Sequence, residues 1–203
     1  MTRHNIRSLP GLLLLAASLA LGACATKVER ISPEQVRDLS GNWNDTDSQL
    51  VSKEMISDVL SRAWLDNFQR AHGKQPAVIV GEIRNLSHEH INMNTFVGDI
   101  ERALINSGKV EFVASKQERQ EIREERKDQD INAREDTRKA MGMETGADFM
   151  LKGEINTILD TEGKEQVRYY QIDLNLISLA DNRIVWLGQK KIKKFITKAS
   201  FRP

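Results

Sequence analysis

A single cysteine in 203 residues limits this chain more than any other feature, because no disulfide can form within one copy. That residue, Cys24, closes the uncharged apolar run LLLLAASLALGAC that begins at Leu12, and Arg3 and Arg7 precede the run. A basic start, a short apolar stretch and small residues ahead of a cut site describe an export signal, too short to span a bilayer. Removing residues 1–23 takes both arginines away, so the formal net charge falls from +1 to −1. So even a balance gives no overall pull toward nucleic acid or other polyanions. Residues 24–203 suffice for one packed domain with a tail, and that domain must be held by packing alone.

The ending Leu21-Gly22-Ala23-Cys24 resembles a bacterial lipobox. In such sequences the cysteine sulfur carries diacylglycerol, the chain is cut before it, and the new amino group is acylated. One acyl chain holds a protein only marginally on a bilayer, whereas two or more anchor it stably. The expected organisation is a signal peptide over 1–23, a lipidated tether over 24–47 and a domain over 48–203 that ends in a basic tail. The tether is polar, broken by Pro33 and Gly41, and extends to at most about 80 Å. Ala25 stands after the cysteine where an aspartate is absent. By resemblance to the sorting rule of enteric lipoproteins, this implies a lipid anchor in the outer membrane and a domain in the periplasm.

Hydrophobic periodicity supplies the elements. Val51, Met55, Ile56, Val59, Leu60, Ala63, Trp64 and Phe68 fall on one stripe and predict a helix over 48–71 that stops at Gly73. Ala77 to Ile83 is a nearly continuous apolar run, as in a strand covered on both faces. A polar loop over 84–92, a helix near 94–106 and a short strand over 110–114 follow. Ser115 and Glu118 have capping-box spacing and start a third helix. Lys116 to Lys139 holds eight basic and eight acidic residues, the composition of a solvated arm. A further helix is expected over 134–144, then a strand from about Ala147. Tyr170, Ile172, Leu174 and Leu176 alternate with polar residues as in a half-buried strand, and a last strand is expected over 183–194. The order predicts an α+β fold: a single layer of helices packed on a mixed, largely antiparallel sheet of about five strands.

No GxSxG elbow, HExxH pair, phosphate loop or GxGxxG fingerprint occurs. His88 and His90 flank Glu89 in an extended stretch, where both rings would face one side. Two solvated imidazoles on a surface loop explain that spacing more simply than zinc does. The reading is therefore a non-enzyme with no cofactor, no metal, no small-molecule substrate and no nucleic acid. Lys190, Lys191, Lys193, Lys194, Lys198 and Arg202 occur with no acidic residue after Asp181. Lysines in that pattern blunt an exposed edge strand, and they also suit contact with lipid headgroups or an acidic partner.

Two stretches resemble a known family. Gly81-Glu82-Ile83-Arg84-Asn85, the helix Phe96 to Asn106 and Ser107-Gly108-Lys109-Val110-Glu111-Phe112-Val113 are similar to the core of the LpoB family. Arg138 to Gly142, running on through Gly146-Ala147-Asp148-Phe149 to Ile155, is similar to that family's second helix-to-strand junction. Curli-secretion lipoproteins and the amino-terminal domain of TolB share a related pattern. The resemblance implies an outer-membrane lipoprotein that docks on a regulatory domain of a class A penicillin-binding protein and stimulates peptidoglycan synthesis. The alternative is a secretion or assembly lipoprotein of the curli-pore type. Asn85, His88, His90, Lys190, Lys191, Lys193 and Lys194 are the candidate partner contacts, and Cys24 is the candidate lipidation site.

Overall fold

The computed structural model describes residues 27–198. The chain divides into two compact units, Met1–Gln35 and Val36–Pro203. In the first, the described residues are exposed and include a turn in which Gln35 N–H donates to the Ser32 carbonyl. The second holds every helix and strand considered below. Cys24 and Arg202 lie outside the described residues.

Helix α1 (Asp45–Val59) opens on a capping box: the Asn44 side chain accepts from Asp47 N–H at 3.0 Å, and the Asp47 carboxylate accepts from Asn44 N–H at 3.0 Å. Helix α2 (Ala63–His72) follows after a break and ends on Gly73, whose φ of +65° is a left-handed cap. The stripe predicts one helix over 48–71, but the chain bends at Leu60–Arg62. There the Asp58 carbonyl accepts the Ser61 hydroxyl at 2.7 Å, and the Val59 carbonyl accepts the Trp64 indole N–H at 2.7 Å. Side chains thus take acceptors that a continuous helix needs, and Arg62 turns extended before α2 starts. No glycine or proline announces that break.

Strand β1 (Ala77–Leu86) leads to α3 (Met93–Asn106), the two-residue strand β2 (Glu111–Phe112), α4 (Lys116–Asn132), and strands β3 (Phe149–Glu162), β4 (Glu165–Ser178) and β5 (Ile184–Thr197). The sheet order is β2-β1-β3-β4-β5. β1 runs parallel to β2 and β3, while β3, β4 and β5 form an antiparallel meander. The architecture is the α+β layer that the pattern predicts. Three expected boundaries differ. β1 continues through Arg84–Leu86, because these residues pair with Glu154–Asn156 of β3. The expected strand over 110–114 narrows to two residues. The expected helix over 134–144 is absent: Gly142 adopts φ +78°, and Glu144 is bound by Arg123 (2.8 and 2.7 Å) and Arg126 (3.2 Å) of α4. That segment folds back along α4 through polar contacts, since it has no apolar stripe to bury.

Alternation places Phe149, Leu151 and Ile155 of β3 and Tyr170, Ile172, Leu174 and Leu176 of β4 on one buried face. Helices α1, α2 and α3 cover it. Trp43 meets Phe96 and Tyr170 at one end, and Trp64 and Phe68 meet Phe149 at the other. Each such side chain contributes about 1.5–3 kcal/mol on burial. Asp148 fastens β1 beside β3, accepting from Ala77 N–H at 2.8 Å while its own N–H donates to the Ala77 carbonyl at 2.7 Å. Helix α4 buries no residue.

Close approach of β3 and β4 explains Gly153, where an added Cβ would collide with the Asp173 carbonyl oxygen and the Leu174 side chain. Gly153→Ala is expected to lower stability by about 1–3 kcal/mol. Gly146→Ala, with open space around it, is expected to leave the urea midpoint unchanged.

Candidate functional site

The end of β1 and the loop after it carry three of the residues singled out by sequence, Asn85, His88 and His90. Asn85 shapes that loop from within: its amide donates to the Glu89 carbonyl at 2.9 Å, and its Oδ1 accepts from Ser87 N–H (3.0 Å) and the Ser87 hydroxyl (2.6 Å). His88 and His90 are exposed. His88 lies against β3, its backbone N–H donating to Thr157 Oγ1 at 3.1 Å and its ring Nδ1 lying 2.8 Å from the same oxygen. Glu89, between the two histidines, turns inward instead. Its carboxylate accepts Trp43 N–H at 3.1 Å and the Tyr170 hydroxyl, and the Arg168 guanidinium lies 3.7 Å away. No group of three His, Cys, Asp or Glu among the described residues is placed to hold a metal ion.

Glu89 therefore joins three parts of the chain. One is its own loop, the second is β4 through Tyr170 and Arg168, and the third is a strap over 38–43 that leads into α1. The Tyr170 hydroxyl also reaches the Gly41 carbonyl at 3.3 Å, and Arg168 binds the Asn42 side chain. Burial, reinforced by the Glu89 carboxylate, pushes the Tyr170 phenol well above its ordinary range. The polar composition of 36–47 reads as linker, yet these residues belong to the compact unit, with Trp43 half-buried and Asp47 buried.

The four lysines of β5 are divided by the pleat of the strand. Lys190 and Lys194 point to the helix-covered face. Lys194 lies 2.6 Å from Asp47 and 3.1 Å from Asp38, donates to the Asn42 carbonyl at 3.0 Å, and is 12% exposed. Lys190 pairs with Glu54 of α1. Lys191 and Lys193 point to the opposite face, are exposed, and have no carboxylate of the described residues within 4 Å. A separate groove of about 890 Å³ lies between α2 and the β4–β5 turn, lined by Trp64, Phe68, Phe149, Leu179 and Ile184 among others. Sequence reasoning missed Glu89, Tyr170, Arg168, Asp38 and Asp47 as a connected set. The one signal was an acidic residue between two histidines, a spacing that reads as a solvated surface loop and not as an inward-turned acceptor.

Two outcomes follow from this geometry. Lys194→Ala leaves Asp47 buried beside no cation and is expected to cost about 2–4 kcal/mol in chemical denaturation. Lys191→Ala and Lys193→Ala are expected to stay within about 0.5 kcal/mol of the parent. The second outcome concerns alkaline pH. Folding holds Tyr170 protonated, so its contribution is fully present below the unfolded value of about 10 and declines as pH rises above it. Tyr170→Phe is expected to be less stable at pH 7 by about 1–2 kcal/mol, since Glu89 loses a donor. It is also expected to lose stability less steeply than the parent above pH about 10, as read from unfolding midpoints across pH.

The sequence profile described as peptidoglycan-synthase activator LpoB matches residues 47–192. No curated protein sequence matches the chain. Among solved structures, the LpoB C-terminal domain from Escherichia coli is 15% identical with a TM-score of 0.42, over 73% of this chain and 99% of that one. The NMR structure of E. coli LpoB is 13% identical with a TM-score of 0.41, over 98% and 89% of the two chains. Lipoprotein GNA1162 from Neisseria meningitidis is 12% identical with a TM-score of 0.35, over 63% and 88%. Those scores are low, so the assignment rests on the sequence match, which runs from the buried Asp47 in the first turn of α1 to Ile192 in β5. The chain belongs to the LpoB family of peptidoglycan-synthase activators.

Proposed function

We propose that this chain is an outer-membrane lipoprotein, anchored through Cys24, that binds and activates a class A penicillin-binding protein through a regulatory docking domain of that enzyme. The observation that carries the reading is the family match over 47–192, which spans the helix–sheet layer from α1 into β5. The residue chemistry supports a binding role. The inward-turned acid of the loop is committed to Trp43, Tyr170 and Arg168, and Asp47 is committed to Lys194.

Activation without chemistry of its own requires that the lipoprotein bind the active state of the synthase more tightly than the idle one. Among the described residues no helix is long and apolar enough to cross a membrane, so attachment falls to the acylated Cys24. Because the compact unit starts at Val36, only about 12 residues separate it from Cys24, a reach of about 40 Å when fully extended. The docking domain of the synthase must therefore come to the lipoprotein near the membrane that holds it. Exposed His88 and His90, beside the rigid end of β1, are the residues we assign to that contact.

Purified mature lipoprotein is expected to bind a class A penicillin-binding protein saturably and to raise its glycan polymerisation rate several-fold. His88→Ala/His90→Ala is expected to weaken binding without changing the unfolding midpoint. Unchanged polymerisation at saturating lipoprotein would sink the proposal.

A further inference from the structure

Helix α4 and the segment that returns along it hold an arginine cluster that neither the core nor the synthase reading uses. Arg119, Arg123 and Arg126 follow one another at i, i+4 and i+7, within about 60° of arc on the helix. Glu118, Glu121, Glu124, Glu125 and Asp128 of the same helix lie more than about 100° from the centre of that row. Asp130 is the one acid of α4 on the arginine side, and it pairs with Arg138 at 3.6 Å. A single carboxylate from elsewhere among the described residues meets the cluster. It is Glu144, held by Arg123 at 2.8 and 2.7 Å and by Arg126 at 3.2 Å. The Arg123 hydrogen bonds, with the charges of Arg126 and Arg119 nearby, hold the Glu144 carboxyl below its ordinary range. Arg119 makes no ion pair within 4 Å among the described residues. Its Nε is shielded from solvent and has no hydrogen-bond partner among them.

Three guanidiniums around one carboxylate leave two positive charges unmatched, and a shielded donor without an acceptor is costly. A second carboxylate would still leave the cluster positive, whereas a dianion balances it. A phosphate monoester carries about 1.5–2 negative charges at neutral pH and three acceptor oxygens. Arginine forks match that shape, and three of them can each meet an oxygen. We propose that Arg119, Arg123 and Arg126 form a binding site for a phosphate monoester, with Glu144 as its internal competitor. The backbone around Glu144 suits such an exchange. It stands between Gly142, at φ +78°, and Gly146, and open space surrounds both glycines. Met141 and Met143 beside it are exposed, so no apolar packing holds this stretch in place. Glu144 can swing away from the guanidiniums without disturbing the core, since α4 itself buries no residue. The site uses none of the residues assigned to the synthase contact.

The test titrates inorganic phosphate into the mature lipoprotein in a neutral detergent at neutral pH, by calorimetry, with acetate at matched ionic strength as the control. Phosphate is expected to bind with a Kd of about 1 mM or tighter, and acetate at least about tenfold more weakly. Arg119→Gln is expected to weaken phosphate binding about tenfold, and Glu144→Gln to strengthen it several-fold, with the circular dichroism spectrum unchanged in both. Repeating the titration in vesicles separates the sources of the ester. A lower apparent affinity in phosphatidic acid than in phosphatidylglycerol, whose phosphate is a diester, marks a lipid phosphate. Equal affinity in the two marks a soluble one, and either result supports the site. Phosphate that binds no more tightly than acetate overturns the proposal, as does phosphate binding that Arg119→Gln leaves unchanged. Equal affinity in the parent and Glu144→Gln overturns the place of Glu144 as competitor.

Discussion

One largely buried carboxylate holds this domain's separate pieces together. Glu89 sits where the loop after β1, the β4 strand and the strap before α1 converge, and it accepts from a backbone amide, a phenol and a guanidinium. Withdrawing a charge from water is costly unless its lone pairs are filled, and here they are filled by groups from two distant parts of the chain, the strap and β4. The geometry of the strap and of the loop is thereby coupled. Displacing either one would leave the carboxylate without a partner. Lys194 repeats the arrangement with opposite sign a short way along β5, where Asp38, Asp47 and the Asn42 carbonyl surround one ammonium.

These two polar junctions divide the surface into parts that are committed and parts that remain available. Asn85 and Lys194 spend their side chains on the chain itself, and Lys190 pairs with Glu54, so their chemistry is structural. His88, His90, Lys191 and Lys193 are exposed, and they fall into two separate regions. The histidines stand on the loop that Glu89 makes rigid, which suits recognition of a folded partner. The lysines stand on the outward face of the edge strand β5, where charge blunts pairing with another chain.

Local pattern was a good guide wherever burial is one-sided and periodic. The alternation from Tyr170 to Leu176 places a strand because every second side chain must leave water, and the structure seals those four residues. The capping spacing of Ser115 and Glu118 marks a helix start that the backbone makes, with Ser115 N–H donating to the Glu118 carboxylate at 2.7 Å. Pattern misled where side chains compete for backbone acceptors. Ser61 and Trp64 interrupt a stripe that reads as continuous, and Glu144 is drawn into ion pairs with α4 where a helix is expected.

From the sequence by itself came the α+β layer, the ending at Cys24 that resembles a lipobox, the family resemblance and the residues of the core, because each depends on neighbours in the chain or on a repeating period. Tertiary structure alone decided which polar residues are bound and which are free. Strand pleat sends Lys190 and Lys194 inward and Lys191 and Lys193 outward, and the carboxylates that meet the inward pair belong to α1 and the strap that precedes it, about 140–160 positions earlier. An ion pair depends on distance in space, on which a linear pattern is silent, and so the division between structural and available charge emerges only once the sheet has folded over its helices.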